Sequence, residues 1–303
     1  MNIVIVGAGA IGSLFGALLS KKNTVVLVGR APHISAIQHN GLNITGKTHL
    51  HVKLSAVESV KDVAISANLI ILTVKSYDTE TTIKQIVPQI QEETAIISLQ
   101  NGLDNIEKME HIFDKDRILA GVTTHGAIFS HPGVIRHTGK GKTILGAIDG
   151  SQSKQLKNIV HLFNEAGIEA QASDDIIKEI WAKAIINSSI NPLTAFFNCK
   201  NGYLLENPLL EKSVEIICKE STCIAQAEGV PLTALDMIHR TKEVINNTSK
   251  NYSSMLQSIQ QGKKTEIDSI NGKLITIGRQ HRIDTSLNKI LVELVTSLTD
   301  IYK

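Results

Sequence analysis

No charge of either sign dominates this sequence. Its 303 residues carry 31 Lys and Arg against 29 Asp and Glu, a formal balance of +2, which implies no polyanionic partner such as a nucleic acid. Cysteine is scarce as well. Cys199, Cys218 and Cys223 are an odd set without a Cys-x-x-Cys, so no disulfide framework and no metal site is expected, and the thiols suit small core residues kept reduced in a cytoplasm. Internal repeats and low-complexity tracts are missing. The uncharged opening MNIVIVGAGAIGSLFGALLS lacks the basic n-region of a signal peptide. Gly12-x-x-x-Gly16 could serve a membrane helix, but glycines at 7, 9, 12 and 16 fit a strand, a glycine turn and an amphipathic helix better.

What is present describes a globular protein, 42% hydrophobic and 20% charged, and long enough for two cores. The first half alternates β-branched runs with helical patterns: NIVIVG, IGSLFGALLSKK, TVVLVGR, PHISAIQHNG, ANLIILTVKS, TETTIKQIVPQI, TAIISLQNG and DNIEKMEHIFD. Such alternation predicts a parallel sheet with right-handed crossovers. Residues 118–148 change character, and their Gly, Thr and His-Pro-Gly content predicts strands joined by turns that close the sheet with an antiparallel element. Glycine then thins out, with sixteen of 21 before residue 174. Beyond that point the patterns are helical throughout, from DDIIKEIWAKAIINSSI to TSLNKILVELVTSLTDIYK. The expected fold is α/β: a Rossmann-type nucleotide-binding domain, residues 1–172, followed by an all-helical second domain, residues 173–303. The boundary falls where Ser173-Asp174-Asp175 offers helix-capping chemistry.

Gly7-Ala8-Gly9-Ala10-Ile11-Gly12 follows the first strand and opens the first helix. Alone, G-x-G-x-x-G is a weak signal; heading a β/α alternation it is a strong one. The first glycine permits the turn, the second lets a pyrophosphate approach, and the third lets helix and strand pack. The helix N-terminus then holds the phosphates. At the end of TVVLVGR stands Arg30, where an NAD-specific site carries an acid. An arginine there can pair with a 2′-phosphate, which favours NADP(H), or it is a solvated surface residue. Lys75 and Asn101 follow two further strands, where ligands bind in such sheets; Asn101-Gly102 also suits a plain turn.

In EIWAKAIINSSINPLTAFFN, Lys183, Asn187 and Asn191 recur every four residues. They drift along one helix side by about 40° per step, among isoleucines. Buried amides and amines cost about 1–3 kcal/mol each when unpaired, and a polar ligand would pair them. Desolvation would lower the lysine pKa toward the range useful for acid–base work. Pro192 is expected to bend or end the helix. At Thr265-x-x-Asp268 a capping box would place Glu266 in a first helical turn, where an acid is also stabilised by the macrodipole alone.

Together, GAGAIG, Arg30, TVKS, LQNG, TTHGA, WAKAIINSSINPLTAFFNCKNG and NYSSMLQSIQQGKKTEID resemble the ketopantoate reductase family over the whole chain. The resemblance implies an NADPH-dependent oxidoreductase that reduces 2-dehydropantoate to (R)-pantoate in pantothenate and coenzyme A biosynthesis. It implies Lys183 as proton donor, with Asn187, Asn191, Asn201, Asn251 and Ser254 holding the substrate. It also implies cofactor contacts from Gly7 to Gly12, Arg30, Lys75, Asn101, Ala127 and Glu266, with Asn101 reaching the substrate too. The alternatives are another NADP-dependent 2-keto acid or hydroxy acid dehydrogenase of this architecture, and an NADP-binding sensor without turnover. The partner is a small molecule, not a nucleic acid or membrane, and a homodimer is left open.

Overall fold

The computed structural model describes residues 1–301. Residues Met1–Gln100 with Asn105–Ile176 form one compact unit, and Asn101–Asp104 with the residues from Ile177 onward form a second.

The first unit contains β1 (Asn2–Val6), α1 (Ala10–Leu19), β2 (Thr24–Val28), α2 (Ala31–Asn40), β3 (Leu42–Gly46), β4 (Leu50–Val52), β5 (Ser55–Val57), β6 (Leu69–Leu72), α3 (Thr79–Ile86), β7 (Ala95–Ser98), α4 (Asn105–Glu110), β8 (Ile118–Thr123), β9 (Gly126–His131), β10 (Val134–Gly139), β11 (Thr143–Ala147), α5 (Lys154–Glu165) and β12 (Ala170–Ala172). Its main sheet has the order β12-β11-β8-β7-β6-β1-β2-β5. Both faces of β1 are covered, which is why it reads as a continuous apolar run. Ile3 and Ile5 join the core of Leu27, Leu69 and Ile71 on one face, while Val4 and Val6 join Val26, Val28, Ile70 and Leu72 on the other. Burying each such side chain stabilises the sheet by roughly 1.5–3 kcal/mol. After β1 the chain places β2 on one side and β6 on the other, both parallel to it. That reversal makes the carboxyl end of β1 the switch point at which open α/β sheets bind ligands.

The antiparallel closure expected over 118–148 is half of what forms. β8 continues the sheet parallel to β7, and β11 closes it antiparallel. β9 and β10 leave to build a second sheet of order β4-β3-β10-β9. The reason is α1, whose Leu14 and Phe15 present a second apolar face that Leu42, Ile44 and Ile135 of the small sheet cover. β3 and β4 come from a short segment of mixed polarity that carries no clear strand signal of its own.

The second unit is helical: α6 (Ile176–Phe196), α7 (Tyr203–Glu206), α8 (Pro208–Ala227), α9 (Ala234–Asn247), α10 (Ser254–Gln260), a π-helical turn at Asp268–Gly272, α11 (Lys273–Gln280) and α12 (Ser286–Ile301). Tyr302 and Lys303, the end of the helix expected through TSLNKILVELVTSLTDIYK, lie outside the described residues. Asn207, Thr233 and Ser253 cap α8, α9 and α10 with side-chain oxygens, the usual means of satisfying the first N–H groups. Among the described residues no helix is long and apolar enough to cross a membrane.

Of the two outcomes expected at Pro192, a bend or an end, the end does not occur: α6 runs on to Phe196. A proline at 192 has no N–H for the carbonyl of Ser188, four residues back. That carbonyl instead accepts from Nδ2 of Asn271 at 3.2 Å, so the bond lost within the helix is replaced from outside it. The capping box also fails to form as expected: Ile270 N–H donates to the Glu266 carbonyl at 3.2 Å, which puts Glu266 at the cap position, and the Thr265 side chain makes no capping bond among the described residues.

Candidate active site

In the first unit Gly7, Arg30 and Lys75 stand at the carboxyl ends of β1, β2 and β6. Gly7 N–H and Ala8 N–H both donate to the Val28 carbonyl at 2.9 Å, and Thr73 Oγ1 donates to the Gly7 carbonyl at 2.8 Å, so three strand ends are tied to one turn. Gly7 has φ of +113°, a conformation that suits glycine, and a Cβ there would collide with the backbone of Val74. A Cβ on Gly12 would strike the Gly7 carbonyl, whereas one on Gly9 would meet nothing nearer than 3.9 Å. Gly9 therefore leaves open space, and no side chain caps α1. The first α1 amide to find a helical acceptor is Ser13's, on the Gly9 carbonyl at 3.0 Å, which leaves the N–H groups of Ala10, Ile11 and Gly12 facing out of the helix end. An open cradle with unbonded donors at a positive helix end fits a pyrophosphate.

Arg30 begins α2 with its side chain 79% exposed, Nη2 3.9 Å from Oδ2 of Asp78. Sequence reasoning did not find Asp78, which arrives from the loop after β6. An exposed pair of this kind is worth under about 1 kcal/mol, so little holds Arg30 against another anion. Lys75 precedes the 3₁₀ turn Ser76–Asp78. Ala127 lies on β9, opposite His137 of β10, in the small sheet.

In the second unit, Trp181, Ala182 and Ile185 bury one side of α6 in a core with Cys218, Ile224 and Leu274. Lys183 falls between these positions and is half-buried. Burial lowers its pKa from the usual lysine value to about 8, and the nearby Glu266 carboxylate opposes the fall. Glu266 is 7% exposed and accepts from Nδ2 of Asn101 at 3.4 Å. Lys183, Glu266 and Asn101, separated by up to 165 residues in sequence, are thus brought together. The ammonium of Lys183 makes no hydrogen bond among the described residues, nor do the side chains of Asn187 and Asn191, although Asn191 is 6% exposed. The single charged neighbour on their stripe, Glu179, is held by Arg240 at 3.3 Å.

A second group gathers beyond the end of α6. Asn201 N–H donates to the Asn251 carbonyl at 3.0 Å and its Nδ2 to Thr248 Oγ1 at 2.9 Å. Its Oδ1 is buried without a partner, an orphaned acceptor of the sort a ligand hydroxyl satisfies. The side chains of Asn251 and Ser254 are exposed and make no hydrogen bond among the described residues. The residue that ties α10 to α6 is Ser253, which sequence reasoning missed: Thr194 Oγ1 donates to Ser253 Oγ at 2.7 Å, and Ser253 caps α10. This group and Lys183 are connected through α6 itself.

A glycine turn at the switch point of a parallel sheet, followed by a helical unit with a depressed-pKa lysine on its first helix, is the arrangement of Rossmann-type oxidoreductases with a helical second domain. Within that class the chain belongs to the ketopantoate reductase family: residues 3–150 match the model for ketopantoate reductase PanE/ApbA and residues 175–299 the model for its C-terminal part. It is 40% identical to the 2-dehydropantoate 2-reductase of Pyrococcus abyssi, covering 97% of each chain, and 34% identical to that of Archaeoglobus fulgidus, covering 97% of this chain and 96% of the relative. Among solved structures it is similar to a ternary complex of D-mandelate dehydrogenase with NADH and anilino(oxo)acetate, with a TM-score of 0.95 at 28% identity over 100% of this chain and 99% of that one. A PanE/ApbA family ketopantoate reductase from Ralstonia eutropha matches with a TM-score of 0.92, also at 28% identity over 100% and 99% of the two chains.

Proposed function

We propose that this chain reduces 2-dehydropantoate to (R)-pantoate with NADPH, in a cytoplasm, with residues 1–172 as the nucleotide-binding domain and residues 173–303 as the substrate and catalytic domain. Bound NADPH supplies a hydride to the 2-keto carbon. Lys183, in its ammonium form, donates the proton that the carbonyl oxygen takes up, so electrostatic stabilisation and proton donation come from one group. Its pKa of about 8 suits a donor that must be charged yet ready to release its proton near neutrality. Glu266 keeps that ammonium from being lost to desolvation. Asn187, Asn191, Asn201, Asn251 and Ser254 hold the hydroxyl and carboxylate of the substrate, with Asn101 reaching both ligands. Gly7, Ala8, Gly9, Ala10, Ile11 and Gly12 receive the pyrophosphate, Arg30 the 2′-phosphate, and Lys75 and Ala127 the rest of the cofactor. A homodimer formed through the helical unit is part of the same proposal.

The observation that carries this reading is the pairing of an unbonded, half-buried lysine with two unbonded amides on one helix. Such groups cost free energy unless a polar ligand satisfies them. One observation favours a second reading, a dehydrogenase for a different 2-keto acid: the similarity to D-mandelate dehydrogenase. Initial rates of NADPH and NADH oxidation with a panel of 2-keto acids separate the two. A preference for 2-dehydropantoate over phenylglyoxylate by at least ten- to hundredfold in kcat/KM is expected; the reverse preference would establish the second reading.

A further inference from the structure

The carbonyl that Pro192 leaves without its helical donor belongs to Ser188, the residue directly after Asn187 and three before Asn191. Its replacement donor, Asn271, sits in the π-helical turn that begins two residues after Glu266. π turns insert one extra residue into a helical ladder and redirect the side chains that follow. Asn271 is fully buried, and its orientation follows from a chain of partners that each have one choice. The Glu220 carboxylate can only accept, and it receives the N–H groups of Leu287 and Asn288, at 3.1 and 2.9 Å, together with Nδ2 of Asn288 at 2.7 Å. Asn288 must therefore turn its Oδ1 the other way, where Nδ2 of Asn271 donates to it at 2.9 Å. With its amino group fixed toward Asn288, Asn271 directs the second N–H to the Ser188 carbonyl at 3.2 Å. Three helical segments, α8, α12 and the π turn, are thus linked in series to one peptide group of α6.

We infer that Asn271 is a positioning residue: by replacing the backbone hydrogen bond that Pro192 deletes, it holds the Asn187–Asn191 turn of α6 in register for substrate. This inference rests on the substrate role given above to Asn187 and Asn191. Without the Asn271 donor, the Ser188 carbonyl, pushed aside by the proline ring, must find another partner or remain buried without one. The turn between the two amides then shifts while the glycine cradle of the first unit is untouched. Asn271→Asp would be worse than Asn271→Ala, because a carboxylate would face two acceptors, the Ser188 carbonyl and Asn288 Oδ1.

A double-mutant cycle tests this. Pro192→Ala restores a backbone N–H at that position, which can bond to the Ser188 carbonyl within the helix and makes the donor on Asn271 partly redundant. Asn271→Ala alone is expected to raise KM for 2-dehydropantoate about tenfold and to change the Kd of NADPH less than twofold. In the Pro192→Ala background the same substitution is expected to raise KM no more than about threefold. An equal rise in both backgrounds overturns the inference, because Asn271 would then act only through Asn288. A normal KM in Asn271→Ala overturns it too. Urea midpoints of the same four proteins show whether the two sites couple through the carbonyl, independently of substrate. Coupling of the midpoints without coupling of KM means that the bond exists but positions nothing, which refutes the inference. Coupled midpoints in a protein that does not turn over 2-dehydropantoate at all would sink the proposed function and leave the hydrogen bond standing. If Asn271→Ala does not fold, Asn271→Ser carries the cycle, and failure of Pro192→Ala to restore soluble Asn271→Ala counts against the inference.

Discussion

Replacing Lys183 with Met should stabilise the protein at neutral pH, and the gain should fade as the pH is raised. A fall from the ordinary lysine value near 10.4 to about 8 corresponds to roughly 3 kcal/mol of preference for the neutral amine. The side chain keeps some exposure, so the cost of the buried ammonium is better taken as about 1–3 kcal/mol. The sign follows from proton counting. Below pH 8 both folded and unfolded chains hold the proton, and the native state bears the whole cost. Between pH 8 and about 10.4 the unfolded chain binds more protons than the folded one, so wild-type stability rises with pH through this window. Methionine fills the space of the lysine stem without a charge. Urea unfolding of both proteins at pH 6.5 and pH 10 measures the difference. An advantage for Lys183→Met of about 1–3 kcal/mol at pH 6.5, mostly gone at pH 10, is expected. An advantage independent of pH, or none at pH 6.5, would refute the idea that burial depresses this lysine.

Two further outcomes follow from the same site. Glu266 opposes the desolvation of Lys183, so Glu266→Gln should lower the lysine pKa further and move the alkaline limb of the kcat/KM profile below pH 8; a limb that stays or moves upward contradicts the coupling. Arg30→Ala should weaken NADPH by about 10- to 100-fold and NADH far less, since charge-assisted bonds to a phosphate are worth roughly 1.5–3 kcal/mol. Equal losses, measured as Kd by fluorescence titration, would discredit Arg30 as the 2′-phosphate anchor.

The legible parts of this molecule are those set by local chemistry. β1 and the glycine turn can be read because a strand buried on both faces has nowhere to hide a polar residue, and because Gly7 and Gly12 answer to sterics that the structure reproduces, while Gly9 leaves the space beside them open. Lys183, Asn187 and Asn191 stand out because polar groups cost too much on an apolar helix to be placed there idly. What is illegible is non-local. β3 pairs with β10 across some ninety residues, and no local pattern names that partner. Where α6 continues through Pro192, the Ser188 carbonyl is satisfied by Asn271, 83 residues away in the chain. The π turn has no sequence signature, which is why a capping box is expected at Thr265 where none forms. Ser254 draws the attention that belongs equally to Ser253, since only the structure shows which serine faces Thr194. His33, buried between Ser13 Oγ and the Gly133 amide and lowered to a pKa of about 4 by that burial, is another residue whose structural role cannot be read from its neighbours in the chain.

The most direct test is the turnover of Lys183→Ala with 2-dehydropantoate under saturating NADPH, followed as loss of NADPH absorbance, with NADPH affinity measured alongside. A fall in kcat of about 10²- to 10⁴-fold with an NADPH Kd within twofold of wild type is expected of a lost proton donor. Turnover within a few fold of wild type would mean that some other group delivers the proton.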